Sequence, residues 1–335
     1  MNDFMDISSA ASRVRPRARR LRQRWLSDAA ADRVFGTLSA GAGYLVLALL
    51  SATALSMLWG GRQAFATFGW HFFTSTDWDP VTKKFGALVP IYGTVVSSTI
   101  AIVIAVPISL GIAIFLTEIA PRWLRTPIGT AIELLAAIPS IIYGMWGLFV
   151  FVPFMSSHIQ PWLIDHLGPL PFIGRLFRGA PIGIGMLTAG IILAVMIVPF
   201  ITAVMRDVFT AVPQGLKDGC IAMGSTTWEV IRHVVVPYAR SAVIGAVFLG
   251  LGRALGETMA VTFVLGNAHD LKLSLLEPGN SIAAALANEF TEADSDIYLS
   301  ALIALGFVLF LVTLVTLTIA KLLLLTVDQR AARAH

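Results

Sequence analysis

An all-α, polytopic membrane protein with six transmembrane helices is the fold that three observations predict. The chain of 335 residues is 56% hydrophobic and only 13% charged, its mean hydropathy is +0.79, and its apolar residues gather into runs long enough to span a bilayer. Soluble domains carry roughly a quarter charged residues, so half that share cannot cover a chain of this size in water, which argues against a soluble enzyme. The single cysteine, Cys220, precludes an internal disulfide. Residues 1–33 hold eight arginines against Asp3, Asp6, Asp28 and Asp32, which accounts for the whole net charge of +4 and leaves the remainder neutral.

A spanning helix needs about 20 apolar residues. Stretches without Asp, Glu, Lys or Arg run over 34–61, 85–117, 134–164, 179–205 and 297–320, and each supports one span. A sixth lies in 241–265, apolar at both ends but carrying Arg253 and Glu257 at its middle. The predicted helices are therefore 37–59, 89–117, 128–153, 181–205, 241–265 and 297–321, within a membrane domain over 37–325 flanked by an arginine-rich tail (1–36) and a short C-terminal tail (326–335). With the N-terminus inside, the inner segments hold 17 Lys and Arg and the outer loops six, so the excess of positive charge predicts both termini on the cytoplasmic side. The run from Arg13 to Arg24 then reads as a topology determinant, with no call for nucleic acid. Ala52-Thr53-Ala54 mimics a signal-peptide cleavage site, but the 28-residue uncharged run from Val34 favours a retained anchor.

The expected outer loops, 60–88, 154–180 and 266–296, are longer than hairpin turns. Pro161, Gly168, Pro169, Pro171 and Gly174 make the second irregular, and Glu289, Glu292, Asp294 and Asp296 predict a solvated third. Pro139 and Pro199 should distort their spans, Pro139 exposing Ser140 or Tyr143 to the bundle interior, and Glu133 should sit near the start of the third span, beside its N-terminal dipole. No phosphate-binding loop with its lysine is present, so the chain should not hydrolyse ATP alone. The six histidines show no metal-ligand spacing, and no HExxH or GxSxG occurs.

Two constellations remain. In 206–240, bounded by Pro213 and Pro237, two short helical patterns are separated by Gly224, which can end one helix, and Ser225, Thr226 and Thr227, which can cap the next. Such a helix-turn-helix suits docking, although a connecting loop reads the same way. In 250–261, GLGRALGETMAV, Arg253 and Glu257 are four apart and so expected to share a helix face and pair, while Gly250, Gly252 and Gly256 would let another helix approach. An intramembrane charge costs at least about 2.5–3.5 kcal/mol on insertion scales; the pair is therefore either a packing device or a pathway-lining arginine that meets an anion.

These residues carry a resemblance. Asp218-Gly219-Cys220, three residues, Gly224, nine residues, then Val234-Val235-Val236-Pro237 has the spacing of the EAA loop of ABC importer permeases, with Asp for Glu and Gly-Cys for Ala-Ala in the opening triplet. LGRALGETMAVTFVLGN, together with ELLAAIPSIIYGMWGLFVF (133–151), IVPFITAVMRDVF (197–209) and ALVPIYGT (87–94), closely resembles the permease subunits of phosphate-specific ABC importers over roughly 85–320. The resemblance implies a type I ABC importer (MetI-like) permease fold and a non-catalytic subunit of the inner membrane that works by alternating access. It also implies a PstA-like sister permease, a PstB-like ATPase dimer that binds ATP and Mg, a PstS-like phosphate-binding protein, and no cofactor in this chain. By the same resemblance Asp218, Gly219, Cys220, Gly224, Val234 and Pro237 belong to the ATPase-coupling segment, and Arg253 and Glu257 to the phosphate pathway. Rivals are an importer for sulfate or molybdate, an ATP-independent carrier or channel, and a membrane sensor. The outer loops hold nine acidic against six basic residues, a balance that suits hand-over from a binding protein better than capture of free phosphate.

Overall fold

Charge-free runs become helices because a backbone in hydrocarbon has to bond with itself. The computed structural model describes the backbone of residues 8–171 and 173–332 and the side chains of 31–171 and 173–322, so the arginine run and the 326–335 tail lie outside the described side chains. In chain order the main helices are α1 (Ser8–Gly60), α2 (Leu88–Ile119), α3 (Arg122–Ala136), α4 (Ser140–Leu167), α5 (Met186–Thr210), α6 (Gln214–Ala222), α7 (Thr227–Leu255), α8 (Met259–Leu265), α9 (Ile282–Glu289) and α10 (Asp296–Ala332). Among the described residues, α1, α2, α4, α5, α7 and α10 supply the six helices long and apolar enough to cross a membrane. The chain divides into two units, Met1–Ser56 and Met57–His335, and everything below concerns the second.

Its core is the contact of α2 with α5, the most extensive between any two helices. On α2 the residues Gly93, Ser97, Ala101, Ala105, Ser109 and Ala113 recur every four positions and are all buried. On α5 the large residues Leu193, Ile197, Ile201, Met205 and Phe209 recur at the same interval and are fully buried. Spacing of four puts each set on one ridge, and a ridge of small residues lets a ridge of large ones approach closely. Ser109 Oγ donates to the Val198 carbonyl at 3.1 Å and locks the pair in register. At its far end α2 meets the turn before α9: a methyl group on Gly93 would overlap the Asn280 carbonyl, and the Ile282 amide donates to Thr94 Oγ1 at 3.0 Å. Gly93→Ala should therefore destabilise by about 1–3 kcal/mol through overpacking, read as a lower Tm of the purified protein in detergent; an unchanged Tm would mean that this contact yields.

The third and fifth crossings differ from expectation. Pro139 ends α3 at Ala136 and restarts the chain as α4, so the third crossing is Ser140–Leu167 rather than 128–153. Pro139 has no amide to give the Leu135 carbonyl, which accepts instead from the Ile138 amide at 3.3 Å and the Tyr143 hydroxyl at 2.9 Å. Glu133 consequently lies in the last turn of α3, not at the start of a span. The fifth crossing begins at Thr227, fourteen residues before the predicted 241, and passes Pro237 through a π-helical turn, Ile231–Val235, which accommodates the proline. It breaks after Leu255 and continues as α8.

At the end opposite residues 206–226, a two-stranded hairpin, β1 (Trp78–Asp79) with β2 (Lys84–Phe85), departs from an all-α chain. Glu289 is half-buried there and held by protein groups, while Glu292, Asp294 and Asp296 are exposed: it accepts from Trp78 Nε1 at 2.6 Å and the Tyr298 hydroxyl at 2.7 Å, and meets His269 Nε2 at 3.0 Å. Burial pushes its carboxyl up, but these donors outweigh burial and hold it below the ordinary carboxylate value.

Candidate functional site

Three glycines crowd the end of α7 within seven residues, and the two inside the helix, Gly250 and Gly252, each cost about 1 kcal/mol of helix relative to alanine. Only Gly250 serves close approach: a methyl there would meet Ile201 and Ile197 of α5, whereas one on Gly252 meets nothing and one on Gly256 only its own chain. Gly256 instead ends the helix, with long hydrogen bonds of 3.4 Å from Gly256 and Glu257 back to Gly252 and Ala254. The break separates the two charged residues.

Arg253 and Glu257 do not pair. Arg253 stays in the last turn of α7, where a cation suits the helix C-terminus, and its guanidinium lies over the Phe200 ring of α5, 5.3 Å from the centroid. Arg253 Nε is buried without a hydrogen-bond partner, and the ion pairs among the described residues do not include it. Glu257 turns instead to α8, its Oε1 accepting from the Ala260 amide at 3.4 Å. Phe200 lies about halfway along α5, so the arginine faces the middle of the crossing. On the other flank, Gly144 of α4 lies where a methyl would collide with Ala260 and Phe263, which fixes α8 against the turn that carries Tyr143. Irregular backbone at membrane depth is tolerated where it is buried in protein or lines a polar cavity, and here it ends in a cation that no carboxylate among the described residues pairs.

The helix-turn-helix in 206–240 forms as its sequence predicts at the turn. Gly224 adopts φ +91°, Gly224 N–H donates to Ile221 O at 2.9 Å, and Ser225 N–H to Cys220 O at 3.1 Å, the Schellman arrangement. Thr226 and Glu229 then cap α7 reciprocally. The second helix is the start of the fifth crossing itself, so Val234 lies in its π-turn and packs on the core and Pro237 follows the turn. On α6 the polarity is inverted. Lys217 is buried, pairing with Glu118 at the end of α2 over 2.6 Å, while Leu216, Ile221 and Met223 are exposed, as is Trp228 at the start of α7. Asp218 is exposed and accepts from Gln214, Gly219 lies in the open, and the thiol of Cys220 is half-buried.

Two ion pairs bolt this loop to the bundle: Lys217–Glu118, with side chains only 8% and 9% exposed, and Arg206–Glu133 between α5 and α3 at 2.5 Å. Glu118 and Lys217 are 99 residues apart and carried no signal in the sequence. Lys217→Met leaves Glu118 buried without a partner and should cost about 3–5 kcal/mol, and adding Glu118→Leu should recover most of it. Thermal melting of the single and double variants checks this; a double variant as unstable as the single would assign Lys217 a role other than pairing.

Residues 105–331 match the family model described as binding-protein-dependent transport system inner membrane component. The chain is 62% identical over 305 residues to a phosphate transport system permease protein PstC of Xylella fastidiosa, covering 91% of this chain and 94% of that one. A PstC protein of Pasteurella multocida is 58% identical over 86% of this chain and 90% of its own. Among solved structures, the bacterial alginate ABC transporter complex aligns with a TM-score of 0.53 at 17% identity, covering 83% of this chain and 92% of that one, which is a likeness of fold.

Proposed function

This chain belongs to the binding-protein-dependent transport system inner membrane components, and from that premise we propose that it is one of two permease subunits of an ATP-driven phosphate importer. The observation that carries the reading furthest is Arg253: a cation at a helix break in mid-crossing, paired with no carboxylate among the described residues and therefore still charged toward an anion. A structural charge would have been neutralised, because an unpaired one is costly in the membrane. The similarity to phosphate permeases names the anion.

In this reading the loop between α5 and α7 faces the cytoplasm, as do both termini. The exposed apolar residues Leu216, Ile221 and Met223 of α6 seat in a separate ATPase dimer, which binds ATP and Mg. Closure of that dimer moves α6, and the Lys217–Glu118 pair and the continuous α7 pass the motion to α2 and to the Arg253 break. A sister permease completes the path and a phosphate-binding protein docks on the opposite end. Phosphate delivered there meets Arg253 and leaves inward. One arginine holds a dianion weakly, which suits a conduit that must release it. Glu257 fixes the start of α8 and so the shape of the break.

The test is ATP hydrolysis by the assembled complex in the presence of binding protein loaded with phosphate, sulfate or molybdate. Stimulation by the phosphate-loaded protein supports the reading. Stimulation by a sulfate- or molybdate-loaded protein alone would reassign the anion.

A further inference from the structure

We infer that Phe200 is the positioning residue that holds Arg253 ready for the anion, taking the place that a carboxylate counter-ion would otherwise fill. The inference rests on the reading of Arg253 as the pathway cation. A guanidinium within about 6 Å of a ring centroid is attracted by the ring's negative face, and Arg253 lies 5.3 Å from that of Phe200. The acidic residue nearest in sequence, Glu257, caps α8 instead, and the carboxylates that meet other basic side chains, Glu133, Asp207, Glu118, Glu289 and Glu277, are engaged elsewhere.

The difference matters chemically. A carboxylate would cancel the charge and compete with the incoming anion for the same donors. An aromatic face attracts the cation while adding no net charge, so Arg253 keeps its full positive charge and its unengaged donors. The contact is weak enough for a dianion to displace, and it draws the guanidinium back after release.

The surroundings fix this geometry from both sides. On α5, Phe200 directly follows Pro199, and the carbonyl of Val198 is pinned to α2 by Ser109. On α7, Gly250 lies one turn before Arg253 and brings the helix onto Ile197 and Ile201, the buried residues that flank Phe200 on α5. The ring and the guanidinium therefore meet through two helices whose spacing is set elsewhere.

The experiment compares Phe200→Leu, which removes the ring face, with Phe200→Tyr, which keeps it, in proteoliposomes of the complete importer after assembly is checked by co-purification of the ATPase. Phe200→Leu should lower maximal phosphate uptake by about tenfold, and Phe200→Tyr should restore it to within about twofold of wild type. The half-saturating phosphate concentration, set by the binding protein, and the stimulated ATP hydrolysis should stay within about twofold of wild type, since neither involves the ring. If Phe200→Leu does not assemble, Phe200→Met, which fills the volume without a ring, takes its place with the same expected results. Full uptake by the leucine variant, or a tyrosine variant as impaired as the leucine one, would overturn the inference. Arg253→Gln in the same preparations separates the two levels: near-normal uptake there removes the pathway reading itself, whereas its loss beside full uptake by Phe200→Leu removes only the role of Phe200.

Discussion

Arg253→Gln is expected to abolish phosphate uptake by the complete importer while leaving the protein at least as stable as before. Glutamine keeps part of the stem and a hydrogen-bonding head but loses the charge and the forked donors. Two charge-assisted hydrogen bonds to a phosphate oxygen pair are worth about 1.5–3 kcal/mol each, and each 1.36 kcal/mol is a factor of ten in rate. The loss should therefore be about a hundredfold or more. The stability half of the prediction distinguishes this site from a packing device. Removing one member of a buried ion pair destabilises strongly because its partner is left unpaired, but Arg253 has no such partner among the described residues and lies over a ring. Its replacement relieves a desolvated charge, so Tm should hold or rise. Loss of uptake with a Tm several degrees lower would make Arg253 a structural residue.

Gly224→Pro should abolish stimulation of ATP hydrolysis by loaded binding protein while the basal hydrolysis of the ATPase persists. Gly224 has φ +91° and its amide closes the Schellman turn on Ile221. Proline fixes φ near −65° and has no amide to donate, so the chain can neither turn left-handed nor complete the cap, and α6 loses its fixed angle to α7. Gly224→Ala keeps the amide and carries a left-handed strain of roughly 1–2 kcal/mol, which should weaken coupling only in part, and Gly224→Asn, a residue that tolerates this conformation, should weaken it least. Equal, full stimulation in the proline variant would remove this turn from the coupling path.

What the sequence made legible follows from locality. Five of the six crossings are visible as charge-free runs, because a membrane helix must be apolar over most of its length, and the one that carries Arg253 as a stretch apolar at both ends; the turn at Gly224 is visible because a left-handed residue and a cap are adjacent in the chain. The ends of the crossings were less legible. Thr227–Leu255 begins in a polar segment of the proposed coupling loop, and nothing in its composition separates a cytoplasmic helix from the continuation of a span. Pro139 was read as a kink because its context is apolar, yet it ends one helix and starts another.

At the site, both charged residues were found, but their pairing depended on an unbroken helix between them. Gly256 decided otherwise, and its three-glycine context held the signal. Phe200 was invisible as a neighbour of Arg253, because 53 residues separate them and it takes the packing of α5 on α7, Gly250 included, to join them. The α2 ridge of Gly93, Ser97, Ala101, Ala105, Ser109 and Ala113 could have been read directly, since small residues every four positions announce a helix contact. Its partner, and the distant ion pair of Lys217 with Glu118, required the fold.

The most direct test of the central claim is uptake of labelled phosphate into proteoliposomes holding this chain, its sister permease and the ATPase, with binding protein and ATP supplied or withheld, for wild type and Arg253→Gln. The account predicts uptake only with every component present and none in the variant. Uptake by this chain alone, indifferent to ATP, would contradict it and make the protein a carrier or channel.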